Sequence, residues 1–253
     1  MIKFGKKEAR PGSVSLKFGD VFNLPAMPHP PIAFGHYNLM PNGDYFMLSN
    51  DQWGDCVWAG AAHEHMLWTL ESGSPRAHFT SKDVLSDYSA ATGFDPMKPE
   101  SDQGTDMQQA AAYRQKIGII DTSGNRHKID AYAALKLGDT NQLAQAAWLF
   151  GAVGVGVNVP SSMIEQFQTN QVWSIASGDT IRGAHYIPCV GRDSRGNFVF
   201  ISWGRVHTAT PDWVSEYMDE AIAYLALESI NASTKVTPEN FNPAALTQYL
   251  KEF

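Results

Sequence analysis

Two cysteines and eight histidines are the side chains here best suited to nucleophilic and general-base work. One cysteine stands in Asn50-Asp-Gln-Trp-Gly-Asp-Cys56-Val-Trp-Ala-Gly-Ala-Ala62, where a short polar loop runs into a stretch of helical character. A thiol on the first turn of a helix sits at the positive end of the helix dipole, beside amide N–H groups with no intrahelical partner, and both favour thiolate. The same amides can hold the negative charge that develops on a carbonyl oxygen under attack, helped by a side-chain amide just upstream from Asn50 or Gln52. Gly54 allows a sharp turn into the helix. Ala59, Gly60, Ala61 and Ala62 let that helix approach a neighbouring wall closely. The plainer alternative is a buried structural cysteine, free Cys being among the most buried residue types.

The second half supplies a base. Gly183-Ala-His185-Tyr-Ile-Pro-Cys-Val-Gly-Arg-Asp193 is followed by Asn197-Phe-Val-Phe-Ile-Ser-Trp-Gly204, which puts His185 at the head of a strand pair ending in Ser-Trp-Gly. Gly-x-Cys-x-Trp-Ala, Gly-Ala-His and Ser-Trp-Gly in this order resemble the papain-like cysteine peptidases, over roughly residues 50–228. The separation of Cys56 from His185 lies close to the roughly 130–150 residues of papain and the cathepsins. The segment from Gly104 to Gly118 also resembles the helix that follows the active-site helix in that family.

The resemblance implies a two-lobed α+β fold, with a helical first half around a Cys-bearing central helix and an antiparallel sheet in the second half. It implies Cys56 as nucleophile, His185 as its base, Asn50 or Gln52 at the oxyanion, and Gly54 and Trp203 as walls of the site, with Trp203 covering the histidine. Such a site uses no metal and no organic cofactor. Ile201 stands where the family has the Asn that orients the histidine, and an isoleucine cannot accept a ring N–H. Strand alternation predicts that the neighbouring Ser202 points to the face away from His185. Asn50 stands at the family's Gln position, and Gln52 two positions nearer the cysteine.

Two functions follow as expectations. One is a thiol hydrolase that cleaves a peptide or other amide bond with a Cys–His dyad. The other is a catalytically impaired papain-like domain used as a structural or interaction subunit of a larger assembly, such as a phage particle, with partners held through its N- and C-terminal segments.

The elements that position these residues are legible in part. Residues 1–49 are rich in Pro and Gly without sustained periodicity and read as an extended arm, short and poorly helical for an inhibitory pro-segment. Residues 50–230 form the papain-like domain, and 231–253 a tail with a helix over Pro243–Glu252 capped by Asn242. Helices are predicted from Asp55 to a stop at Gly73, from Ser81 to Gly93, from Asp106 to about Ile117, and over Thr140–Phe150 with Thr140 or Asn141 as cap. Strands are predicted over Val153–Val159, Val172–Ile175, His185–Gly191 and Phe198–Trp203, with Ala221–Leu227 a strand or short helix. Asp193 to Asn197 reads as a hairpin turn.

Other patterns carry less. His63 and His65 are two apart and face different sides of a helix, so they cannot share a metal as an i, i+4 pair would. Gly151-Ala-Val-Gly-Val-Gly156 lacks the spacing of a dinucleotide loop and reads as a strand. Cys189 reads as a small buried hydrophobe, and Asp95, Asp102 and Asp106 lack calcium-loop spacing. A net charge of −7 without a basic cluster argues against nucleic acid as partner. The longest apolar run, Ala146–Val157, is too short to span a bilayer, which takes about 20 residues. With no secretory signal and two cysteines, a cytoplasmic or particle-borne protein is expected.

Overall fold

The computed structural model describes residues 3–237 and Glu239. The expected helix over Pro243–Glu252 lies outside them. In chain order the elements are α1 (Phe18–Val21), α2 (Cys56–Glu71), α3 (Ser81–Thr92), α4 (Met107–Lys116), β1 (Ile119–Ile120), β2 (Arg126–His127), β3 (Ala131–Ala134), α5 (Thr140–Phe150), β4 (Val153–Pro160), α6 (Ser162–Gln168), β5 (Ile181–Arg192), β6 (Phe198–Ser202), β7 (Arg205–Ala209), α7 (Pro211–Tyr217) and β8 (Met218–Leu225). This is an α+β order, helices first and sheet second.

β1 and β2 form a small antiparallel ribbon. The other six strands form one sheet in the order β3-β8-β4-β5-β6-β7, antiparallel throughout. Two apolar clusters define two lobes. One gathers α2, α3 and α4 with the sheet residues Tyr186, Val190, Val199 and Ile201. The other fills the space between the sheet and α5, α6 and α7, from Val153 and Ile187 to Trp173 and Trp213. Among the described residues no helix is long and apolar enough to cross a membrane.

α2 is the central helix, buried on all sides from Cys56 to Thr69. Its small residues have a specific use at Gly60, where a Cβ would come within 2.4 Å of the Tyr186 ring. That ring carries its hydroxyl to Glu64, 2.5 Å away, and Glu64 also accepts from Arg114 Nη2 at 2.6 Å. The three side chains join α2, α4 and β5, and their mutual satisfaction is what allows a fully buried charge pair.

Gly93 stops α3 in the left-handed region (φ 79°), and the Asp106 carboxylate caps α4 by accepting from Gln109 N. α5 is capped by Asp139, which accepts from Gln142 N, rather than by Thr140 or Asn141. Val172–Ile175 is not a strand. Trp173 alone bridges to Ala209, and the chain then turns away as Ser174 bonds to Gln166. Of Ala221–Leu227, the residues up to Leu225 belong to the strand β8, and Leu227 opens the short turn Leu227–Ser229.

Candidate active site

Cys56 opens α2 and His185 lies on β5, opposite Val157 of β4. Both side chains are 1% exposed. Burial pushes the Cys56 thiol up to about 12, against the pull of the Tyr186 and Gly5 backbone groups that bond to it. Desolvation thus outweighs the helix terminus. Burial also brings His185 down to about 3, so its ring is neutral.

His185 Nε2 lies 3.1 Å from Ser202 Oγ, and its Nδ1 has no hydrogen-bond partner among the described residues. The expectation that Ser202 faces away from the histidine fails. His185 shares its face of the sheet with Ile187 and Cys189, and Cys189 pairs with Phe200. Ser202 follows Phe200 by two and lands on that face, whereas Ile201 points into the helical lobe with Val199 and Cys56. The Trp203 ring stacks on the imidazole, with centroids 4.6 Å apart and planes 13° from parallel. Trp203 holds this place at a positive φ of 45°.

The two upstream amides are placed differently. Asn50 is buried, and its Nδ2 donates to Asp55 Oδ1 at 3.1 Å, beside the residue that opens the helix. Asp55 itself is fully buried, and desolvation holds its carboxyl well above the usual carboxylate range against the pull of Asn50. Gln52 is exposed, on a groove with Ser49, Asp51 and Thr80. Gly54 donates its N–H to both oxygens of Asp102, at 3.2 and 3.1 Å.

Sequence reasoning missed what lies between the lobes. Residues Lys3–Lys7 run between the lobes, with a single parallel bridge from Lys6 to Thr105. Gly5 O accepts from Thr105 N at 2.7 Å, and Lys7 N donates to Thr105 O at 2.9 Å, on the helical side. Lys6 N donates to Ala184 O at 3.3 Å on the sheet side, next to His185. Gly5 packs so tightly on Gly54 that a Cβ would come within 2.0 Å of its carbonyl oxygen, and Phe4 meets His185 edge-on at 6.2 Å. Lys6 Nζ is buried between Asp219 Oδ2 (2.8 Å) and Glu220 Oε1 (3.0 Å), in space that Gly156 leaves open. Lys3 pairs with Asp102, and Arg10 with Asp106. A lysine buried in an otherwise unpatterned arm leaves no mark in the sequence, because its partners come from β8.

This architecture is similar to that of known cysteine proteases. Xylellain, a cysteine protease from Xylella fastidiosa, matches with a TM-score of 0.64 at 12% identity, over 88% of this chain and 96% of that one. Procathepsin B S9 from Trypanosoma congolense matches with a TM-score of 0.61 at 12% identity, over 88% of this chain and 86% of that one. The bromelain protease from Ananas comosus, solved with the E64 inhibitor, matches at 0.53 and 12% over 78% and 99%. The fold is therefore papain-like: α+β and two-lobed. The sequence matches no family model and no curated protein.

Proposed function

We propose that this chain is a papain-like thiol hydrolase of peptide or other amide bonds, with Cys56 as nucleophile and His185 as base, held closed by its own N-terminal segment. One observation supports this reading above the rest. The segment of residues 3–7 lies against both side chains, the Gly5 backbone bonding to the Cys56 thiol and Phe4 meeting His185 edge-on, and exchanges main-chain hydrogen bonds with Thr105 and Ala184 on the two walls. A cleft that holds its own chain by main-chain hydrogen bonds suits a peptide substrate held the same way.

With the arm withdrawn, water reaches both side chains and the burial that suppresses their ionisation is relieved. The thiol then passes its proton to the unpartnered Nδ1 of His185, and the sulfur attacks the carbonyl carbon. The imidazolium returns the proton to the leaving amine. Water, deprotonated by the same ring, then releases the acyl group from sulfur. Ser202 Oγ holds the ring at Nε2 in place of an amide, with Trp203 as its lid. The Cys56 backbone amide and Asn50, the better placed of the two side-chain amides, receive the oxyanion.

A second reading is favoured by Ile201, wholly buried where an orienting Asn would stand, and by the absence of a hydrogen bond between Cys56 and His185. In it the domain is catalytically silent and serves as a structural or interaction subunit, for instance of an assembled particle. One experiment separates the two. The full chain and a chain lacking residues 1–8 are treated with fluorescent iodoacetamide at pH 7 and assayed on a peptide mixture. Labelling of Cys56 and peptide cleavage are expected only after truncation, and both fall on His185→Ala. A truncated chain with intact circular dichroism but no labelling at Cys56 sinks the hydrolase and leaves the silent domain.

A further inference from the structure

Away from the cleft, the fold collects three ligand-type side chains from distant parts of the sequence. His65 comes from α2, His127 from β2, and Glu228 from the turn Leu227–Ser229 that follows β8. Their donor atoms all lie within 4.8 Å of one another. Glu228 Oε2 is 2.6 Å from His65 Nδ1, and Glu228 Oε1 is 2.5 Å from His127 Nδ1. We propose that His65, His127 and Glu228 form a binding site for a divalent transition-metal ion of Zn2+ type.

Three features of the cluster support a cation. Two imidazole nitrogens and one carboxylate oxygen make a zinc donor set of three protein ligands with an open fourth position. Next, Asp121 Oδ2 lies 3.2 Å from His127 Nε2. Its carboxylate is itself held by the backbone N–H groups of Ser123 and Asn125. A carboxylate only accepts, so Asp121 would hold the proton of His127 on Nε2 when an ion takes Nδ1, as carboxylates do behind metal-bound histidines.

Finally, a lone pair on Nδ1 at 2.5 Å from a carboxylate oxygen needs something positive between them, a proton or a metal ion. Around a tetrahedral ion with bonds of about 2.0–2.2 Å the donors stand roughly 3.3–3.5 Å apart. The two His–Glu pairs therefore have to open by about 1 Å to admit one, with the two histidine donors, which lie within 4.8 Å of each other, closing onto the same ion.

Access and purpose also fit. His65 is wholly buried, whereas the Glu228 side chain is 28% exposed, so an ion enters past Glu228 and keeps a water on that side. His65 Nε2 has no partner among the described residues, which leaves Nδ1 as the ring's polar outlet. The bound ion would tie the central helix to the β1–β2 ribbon and to the segment after β8. Its role is to stabilise rather than to catalyse, because the cluster lies on a different stretch of α2 from Cys56.

The test uses the full chain with Cys56→Ala, which removes a competing thiol, stripped with chelator and titrated with ZnCl2 by calorimetry. One ion per chain and a higher melting temperature on zinc addition are expected. Co2+ should give the visible absorption of a tetrahedral site. Glu228→Gln, which keeps the shape of the side chain, and His127→Ala should each weaken zinc binding at least tenfold, and His29→Ala should leave it unchanged. No stoichiometric binding would overturn the proposal and leave a proton-bridged His–Glu–His clamp. Binding that survives both substitutions would overturn it as well. Should His127→Ala fail to fold, zinc-edge X-ray absorption of the loaded parent chain still decides, since a spectrum without imidazole scattering refutes the site.

Discussion

His185 is packed between the Trp203 ring and Ser202, out of reach of solvent, and His63 is buried against Tyr45 with its Nε2–H donated to Phe46 O at 3.0 Å. Burial brings the first ring down to about 3 and the second down to about 4. In the unfolded chain both take up a proton near pH 6.5. Between pH 6.5 and 4 the unfolded state therefore binds more protons, and stability falls as pH falls, by about 1.4 kcal/mol per pH unit for each ring.

Glu71 works in the opposite sense. Burial raises its carboxyl to about 8, against a pull from His36, so the folded state holds a proton that the unfolded state has released above about 4.5. Its share of stability is lost as pH rises toward 8. The two trends cross, and the unfolding free energy should peak near pH 6.5. Urea titrations from pH 5 to 8 check this, and His63→Gln should flatten the acid limb by about one proton. A profile still rising at pH 8 contradicts the assignment.

At the scale of elements, the contact between α2 and β5 depends on glycines placed around one aromatic ring. Gly60 of α2 and Gly154 of β4 both face Tyr186, with Cβ positions 2.4 Å from its Cε1 and 2.2 Å from its hydroxyl oxygen. The ring cannot retreat without giving up Glu64, which also holds Arg114. Gly60→Ala gains up to about 1 kcal/mol in helix propensity but overpacks this contact. A net loss of about 1–3 kcal/mol is expected in denaturant unfolding. A variant as stable as the parent would show that the ring is free to move.

The helices and strands themselves were largely legible in the sequence. α3, α4 and α5 follow from caps, glycine stops and apolar spacing, and β4, β5 and β6 from β-branched runs. The short elements α6, α7, β1, β2 and β3 were not, because each is too brief for periodicity to show and is held by tertiary partners.

At the scale of the molecule, the N-terminal arm closes the cleft by joining both lobes, and Lys6 is its main anchor. Removing that ammonium leaves Asp219 and Glu220 side by side without a counter-charge in a half-buried site. Lys6→Ala should loosen residues 3–7 without unfolding the lobes. The Lys7 and Thr105 amides, which tie the arm to the helical wall, should then exchange hydrogen about 10–100-fold faster, as expected for losing a charge-assisted bond of about 1.5–3 kcal/mol. Mass-spectrometric exchange on the peptides holding these residues reads this directly. Unchanged rates would show that main-chain pairing alone keeps the arm in place.

By itself the sequence determined the α+β order, the helix that opens at Cys56 and the strand that carries His185, because caps, glycines and periodicity are local properties. It also put Ile201 at the position where the resemblance leads one to expect an orienting Asn. Only the tertiary structure decided the rest. Sheet parity and packing put Ser202, not Ile201, on His185. Burial overrode the helix terminus at Cys56, since desolvation depends on what covers a group. The cleft is filled by residues 3–7, whose partners Thr105, Ala184, Asp219 and Glu220 lie far along the chain. Those pairings join residues distant in sequence, so no local pattern could encode them.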